Sequence, residues 1–303
     1  MKKNIVLVLL VSLLFFSNAF ACDICGCGNG SSFVGLLPRS GNALVGVRYQ
    51  ESHFTSHYYS NFYKTEETYQ TTELWGRFFP AKKLQTLVFL PYRQNERYGV
   101  TSQISSKNQG IGDAIILAHY NVFNSFLDST NTSEISQNLM LGGGVKLPTG
   151  KFEERFSGDA INPNYQLGTG STDFLLSAIY LIKYKNWGIN TELGSRITTK
   201  NKDDYQFGNR INGAVKLFYV KNINQFSVMP NAGVMVDYAT QDKQKSSVVM
   251  NTGGYLMATS FGLEAYLKKL NIGFNYQMPL AEKLGGGEIK AKSQFQIHFS
   301  LNL

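Results

Sequence analysis

The sequence predicts an all-β chain, a transmembrane antiparallel β-barrel of about twelve strands with fourteen as the alternative count, preceded by a short cysteine-bearing segment. Three observations predict it. From about residue 41 the chain breaks into segments of roughly 10 to 16 residues in which apolar and polar side chains alternate, the period that puts successive side chains on opposite faces of a strand. The connections between these segments fall into two length classes that alternate along the chain. No stretch beyond the N-terminal leader reaches the eighteen or more apolar residues that a membrane-spanning helix needs.

The N-terminal leader is expected to stand apart from the fold. Lys2 and Lys3 make a basic start, residues 5–16 an apolar run, and Ala19-Phe20-Ala21 a small-x-small cleavage site. Residues 1–21 are therefore expected to be a signal peptide, with the mature chain starting at Cys22. Residues 22–40 form a cysteine-rich N-terminal segment or small plug, whose apolar part is Phe33-Val34-Gly35-Leu36-Leu37-Pro38, and residues 41–303 form the barrel.

The final segment shows the alternation most cleanly. Phe295, Ile297, Phe299, Leu301 and Leu303 interleave with Gln294, Gln296, His298, Ser300 and Asn302, so one face suits lipid and the other water. Trp187, Ile189, Thr191, Leu193 and Ile197 likewise oppose Asn190, Glu192, Arg196 and Thr198. In residues 224–238, Phe226, Val228, Val234, Val236 and Tyr238 oppose Asn231 and Asp237, with Pro230 an interruption because proline cannot donate to a ladder.

The short connections are 80–83, 185–186, 221–224 and 268–270, with 124–136 a longer member of the same side. The long ones are 52–66, 93–109, 150–168, 199–205, 240–248 and 279–290. Six long and five short connections fit twelve strands with both termini on the short-turn side. A soluble β-sandwich also alternates apolar and polar residues, but nothing in it sorts loops by length.

Composition agrees. Aromatic residues make up 13% of the chain, with 17 Tyr and 21 Phe, alongside 29 Gly. The mean hydropathy of -0.17 is what lipid-facing and water-facing residues average to in a barrel. The formal net charge is +8, yet its lysines fall mainly in turns such as Lys82-Lys83 and Lys268-Lys269. Nucleic-acid binding would need basic residues clustered on one face.

Extending the strand phases sends Arg48, Glu73, Arg77, Asp113, His119, Lys146, Asp173, Glu192, Arg196, Asp237, Glu264 and His298 into the lumen. Charges of both signs in a small barrel either pair across strands and stiffen the interior or line a permeation path. No hydrolytic enzyme is indicated, since no Ser, His and Asp set has a nucleophile in a strained turn. His53 and His57 resemble a ligand pair, but four residues along a strand separate them by about 13 Å. Phe54, Tyr58, Tyr59, Phe62 and Tyr63 around them describe a solvated aromatic loop.

All three cysteines, Cys22, Cys25 and Cys27, lie within six positions of each other. Clustered thiolates can wrap Cu(I) or Zn(II), with Asp23 or the terminal amine completing the shell. Two of them could instead form a disulfide in an oxidising compartment. The third reading makes Cys22 a lipid-modified anchor, although Ala19-Phe20-Ala21 suits ordinary signal cleavage better.

The centre of the chain carries three glycine-rich motifs. Gly110-Ile111-Gly112-Asp113 opens one strand, Gly144-Val145-Lys146-Leu147-Pro148-Thr149-Gly150 closes the next, and Leu167-Gly168-Thr169-Gly170-Ser171-Thr172-Asp173 opens a third. They resemble putative outer-membrane transporters associated with the phenol meta-degradation pathway, a family similar to the long-chain fatty acid channel. The resemblance covers residues 84–199 through these motifs and the remainder through strand rhythm; the cysteine head departs from it. It implies passive uptake of small hydrophobic or aromatic solutes. The expectations are thus an outer-membrane channel in contact with outer-membrane lipid, both termini periplasmic. The alternatives are an envelope metal-handling protein that uses the barrel as a scaffold for the cysteine head, and a structural barrel with a sealed lumen.

Overall fold

Strands that are apolar on one face and polar on the other satisfy both faces at once when the sheet curls until its edges meet. The computed structural model describes residues 43–103, 105–126, 133–152, 155–156, 159–160 and 165–303. The leader, the three cysteines and the proposed plug lie outside these residues. Twelve long strands form the wall: β1 (Leu44–Ser56), β2 (Thr65–Ala81), β3 (Leu84–Gly99), β4 (Ala114–Asn124), β5 (Ile135–Leu147), β6 (Asp173–Tyr184), β7 (Trp187–Ile197), β8 (Arg210–Tyr219), β9 (Phe226–Ala239), β10 (Gly254–Leu267), β11 (Leu270–Leu284) and β12 (Lys290–Asn302).

Each strand pairs antiparallel with its chain neighbours, and β1 pairs with β12 from Leu44↔Asn302 to Thr55↔Lys290, so the sheet closes without a free edge. One face of each strand is buried and the other carries exposed apolar side chains, among them Val47, Leu74, Leu193, Phe261 and Phe299. That exterior is a lipid-facing surface turned outward. Near the end carrying the short turns it bears an aromatic belt of Tyr120, Tyr184 and Trp187, the last packed on Tyr219 with ring centroids 4.8 Å apart.

The two-sided sorting of connections holds. One end has turns 82–83, 185–186 and 268–269, the segment 125–134, part of it outside the described residues, and 220–225. The other end has 57–64, 100–113, 148–172, 198–209, 240–253 and 285–289. Pro230 sits where the β8 ladder lapses, between the pairs Phe218↔Asn231 and Lys221↔Val228, so its missing N–H interrupts little.

Three of the expected loops are instead partly or largely strand. Much of 52–66 belongs to β1 and β2, and most of 93–109 to β3 and the short strand Ser105–Ile111 that pairs with its outer half. Only residues 285–289 of 279–290 lie outside a strand. The reason is the outward face. At Glu66, Thr68, Gln70, Gln94 and Glu96 it becomes polar, so the alternation that marks a membrane strand disappears while backbone pairing continues into water.

The outward position of Leu193 in mid-strand gives a direct test. Leu193→Arg is expected to lower folding stability by about 2–4 kcal/mol, the cost of a cation at the bilayer midplane. Urea titration of barrel folding in phosphatidylcholine vesicles checks this; an unchanged midpoint would place Leu193 away from lipid.

Candidate functional site: a loop latched inside the barrel mouth

All twelve charged or histidine residues assigned to the lumen lie on the inward face, eleven of them buried and Asp237 half-buried. Most pair along the wall. Arg48 meets Glu73 directly across β1 and β2, and Arg210 meets Asp237 at 2.5 Å. Glu264 and His298 meet at 3.2 Å although β11 runs between their strands. Gly273 faces both, and a Cβ there would lie 2.2 Å from the imidazole and 2.6 Å from the carboxylate, so its missing side chain makes the pair possible. Glu192 accepts a 2.6 Å hydrogen bond from Asn190, and His119 bonds Ser177 at 3.0 Å. Arg77 has no carboxylate beside it among the described residues; its guanidinium lies 5.5 Å from the Phe79 ring centroid.

The three glycine-rich motifs converge on one point. Between Ile111 and Ala114 the pairing with β3 slips by one residue, a bulge at Gly112 and Asp113 that aims the Asp113 carboxylate inward. Asp113 accepts hydrogen bonds from Gly150 N at 3.0 Å, from Thr169 N at 2.8 Å and from the Thr169 hydroxyl at 2.8 Å. Lys146 donates to Asp113 at 2.8 Å, to Ser171 O at 3.0 Å and to the Thr169 hydroxyl, and lies 3.1 Å from Asp173. Arg196 approaches the same Asp173 oxygen at 3.7 Å.

This network draws the second half of the 148–172 connection into the barrel, where Tyr165, Gln166, Leu167, Thr169 and Ser171 are buried. Arg93 donates to Leu167 O at 3.1 Å and Asn95 to Tyr165 O at 3.0 Å. The Tyr165 hydroxyl returns a bond to Asn95 O at 2.8 Å. Gly150 and Gly168 touch backbone to backbone: a Cβ on Gly168 would lie 2.6 Å from Gly150 and 2.5 Å from the Asp113 carboxylate. The motif glycines therefore permit close approach, and the polar residues between them form the latch.

Sequence reasoning missed Arg93, Arg210 and Lys216 on the inward face. Arg93 was hidden because it fell in a segment taken for loop. The signal for the other two was available: Ile211, Val215 and Leu217 point out, which sends Arg210 and Lys216 in. His53 bonds Thr68 and Glu51, not His57, and no group of three or more His, Cys, Asp or Glu is arranged around a metal-sized centre among the described residues.

A second polar knot caps the same mouth. Short strands Tyr205–Gln206, Lys243–Gln244 and Ser247–Val248 pair, and Asp242 accepts from Gly208 N at 2.6 Å and from the Tyr205 hydroxyl. Burial outweighs both donors and holds the Asp242 carboxyl above the usual carboxylate range.

An outer-membrane channel from Pseudomonas putida F1 superposes with a TM-score of 0.70 at 15% identity, over 89% of this chain and 99% of that one. The β domain of the Bordetella autotransporter BrkA gives 0.53 at 11% identity, over 86% and 100%. The fold is that of an outer-membrane barrel. No protein-family model matches the sequence, and no curated protein matches it.

Two predictions follow from these contacts. Asp113→Ala leaves Lys146 with Asp173 alone and strips two backbone N–H groups of their acceptor, a loss of about 3–5 kcal/mol for a broken buried pair. Residues 165–171 should then lose amide-exchange protection while β8 to β10 keep theirs; retained protection would refute the latch. For Asp242 the raised folded-state pKa means the folded form binds its proton more readily, so docking of the cap is favoured at acid pH. That contribution is lost as pH rises from the ordinary aspartate value through the raised one. Exchange at residues 205–208 and 242–252, referenced to Asp242→Asn at each pH, should speed up across that window; a flat ratio would contradict it.

Proposed function

We propose that this barrel is a passive outer-membrane channel for small solutes, with outer-membrane lipid around its apolar belt and both termini on the periplasmic side. The observation that carries this reading is the division of chemistry across one closed wall: exposed apolar side chains outside, and inside, charges mostly paired along the wall with a latched loop seated in the mouth. A lumen whose charges are paired along its wall needs no side chain reaching across the axis to satisfy them.

The sorting of short and long connections supports the orientation, because barrels of this kind put short turns in the periplasm. Hydrophobic or aromatic cargo is supported by two apolar clusters on the inward face. Leu44, Trp75, Leu87, Phe89, Leu117 and Leu175 form one, and Leu181, Phe218, Met229 and Tyr266 belong to the other, toward the short-turn end. A cleft lined by Arg48, Gln50, Thr71, Glu73, Arg93, Asp113 and Lys146 adds about 20 Å³ beside the latch, room for a water molecule.

Planar-bilayer recording of the purified protein tests the reading. Wild type should give small, steady conductance steps, and Asp113→Ala, which frees the loop, steps several-fold larger. Silence in both would identify a sealed structural barrel.

A further inference from the structure

We propose that a ring of lysines on the short-turn rim binds the phosphate headgroups of anionic phospholipids in the leaflet that this rim meets. The inference rests on the orientation proposed above and goes beyond it by assigning a lipid class to that end.

The turn lysines are scattered along the sequence, but an up-and-down barrel brings alternate turns to one end. Lys82, Lys83, Lys185, Lys221, Lys268 and Lys269 stand there, all exposed, in four of the five connections of that end. Glu134 is the one acidic side chain in these connections among the described residues. It lies 3.3 Å from Lys185, in a pair more than half exposed on both sides. None of the other lysines has a carboxylate beside it among the described residues. The opposite end mixes its signs: Lys200 pairs with Asp204, Lys290 with Glu282 and Lys292 with Glu66. Solubility of the turns would be served by either pattern, so it does not account for charge of one sign at one end.

The position of the ring in the wall points to lipid. Each lysine-bearing turn borders outward-facing apolar side chains. Tyr120 pairs with Leu84 just past Lys83, and the Lys185 ammonium lies 5.2 Å from the Tyr184 ring centroid. Lys221 follows Tyr219, which packs on Trp187, and Lys268 follows Leu267, the register partner of Phe226. An aromatic belt marks the edge of the hydrocarbon, so ammonium groups one or two residues beyond it lie at the level of the lipid phosphates. Their methylene stems can rest on the belt while the charge stays in the headgroup layer.

The backbone adds an independent observation. Lys185 and Lys268 open two-residue hairpin turns with φ of 51° and 45°, left-handed positions that favour glycine or asparagine. The Asn224-Gln225 turn at the same end has asparagine there, with φ of 50°. Turn geometry therefore favours another residue at 185 and 268, and what lysine supplies at these positions is charge on the rim.

The ring also runs round the barrel, from the β2–β3 turn through β6–β7 and β8–β9 to β10–β11. A folded acidic partner would engage one side of such a ring, whereas lipid surrounds it. A phosphate diester with no compensating cation is attracted by each lysine in turn, and the attraction is screened by salt. A zwitterionic headgroup carries its own ammonium and gains much less.

Native mass spectrometry of the barrel in detergent counts the lipid it retains, with heat-modifiable gel migration confirming a folded barrel. Wild type should retain phosphatidylglycerol several-fold better than phosphatidylcholine, and lose that preference near 1 M salt, where charges are screened beyond about 3 Å. Lys82→Gln/Lys83→Gln/Lys268→Gln/Lys269→Gln should lose the preference, and Lys82→Arg/Lys83→Arg/Lys268→Arg/Lys269→Arg should keep it. Lys200→Gln/Lys202→Gln/Lys243→Gln/Lys245→Gln, an equal loss of charge at the other end, should also keep it. Equal retention of both lipids by wild type, an intact preference in the short-turn glutamine variant, or equal loss in both glutamine variants overturns the proposal and leaves the channel and its orientation standing. A membrane-impermeant amine reagent applied to intact cells should modify Lys202 and Lys243 and spare Lys82 and Lys268. Modification of Lys82 or Lys268 would reverse the orientation and, with it, the choice of phospholipid over lipopolysaccharide.

Discussion

Hydrocarbon offers no partner to a peptide N–H or C=O, and the rest of this structure depends on that constraint. It requires the last strand to find the first, which it does from Leu44↔Asn302 onward. Closure then fixes the faces. With every strand paired on both sides, the period of two sends one set of side chains to lipid and the other to a lumen. A one-residue slip anywhere would exchange them, placing Arg48 or Lys146 in lipid and Val47 or Val145 inside. The apolar outer face and the charged inner face hold the same register from opposite sides.

Charges confined to a narrow lumen must be satisfied locally, and here they are satisfied along the wall. Arg48 and Glu73 are register partners, as are Lys146 and Asp173, so the hydrogen-bonded ladder that closes the sheet also positions the ion pairs. Asp113 departs from this, because it belongs to the bulge that interrupts the ladder. Freed from regular pairing, its carboxylate reaches both the β5 lysine and the backbone of the 148–172 connection. One extra residue in a strand thereby turns a wall charge into an anchor for a loop.

The membrane strands were legible because period-two alternation is enforced residue by residue, as from Phe295 to Leu303. The same parity puts all twelve assigned residues on the inward face. Parts lying beyond the lipid were not legible: with Glu66, Gln70 and Gln94 facing water, nothing in the chemistry separates a paired strand from a loop, although the backbone pairing is equally regular. The motifs Gly110 to Asp113, Gly144 to Gly150 and Leu167 to Asp173 were visible as glycine-rich boundaries. Their meeting was not, because contact between Gly150, Gly168 and Asp113 depends on how a long connection folds, and local spacing does not encode that. Arg93 was lost for the same reason as its loop, whereas Arg210 and Lys216 were recoverable from the phase of Ile211 and Leu217.

Pairing along the wall also determines which side chains lie over the bore. Were the lumen charges matched across the axis, their side chains would have to extend over the bore. Gly273 avoids this by letting Glu264 and His298 meet over an intervening strand, so the pair stays on the wall. The latch does the opposite on the far side, where Asp113, Lys146 and Asp173 pull a loop off the rim and seat it inside. The lumen is therefore asymmetric by construction: β3 to β6 anchor the loop through their charges, and β9 to β12 carry the Glu264–His298 pair beside a run of uncharged polar residues that includes Asn231, Ser260 and Asn275.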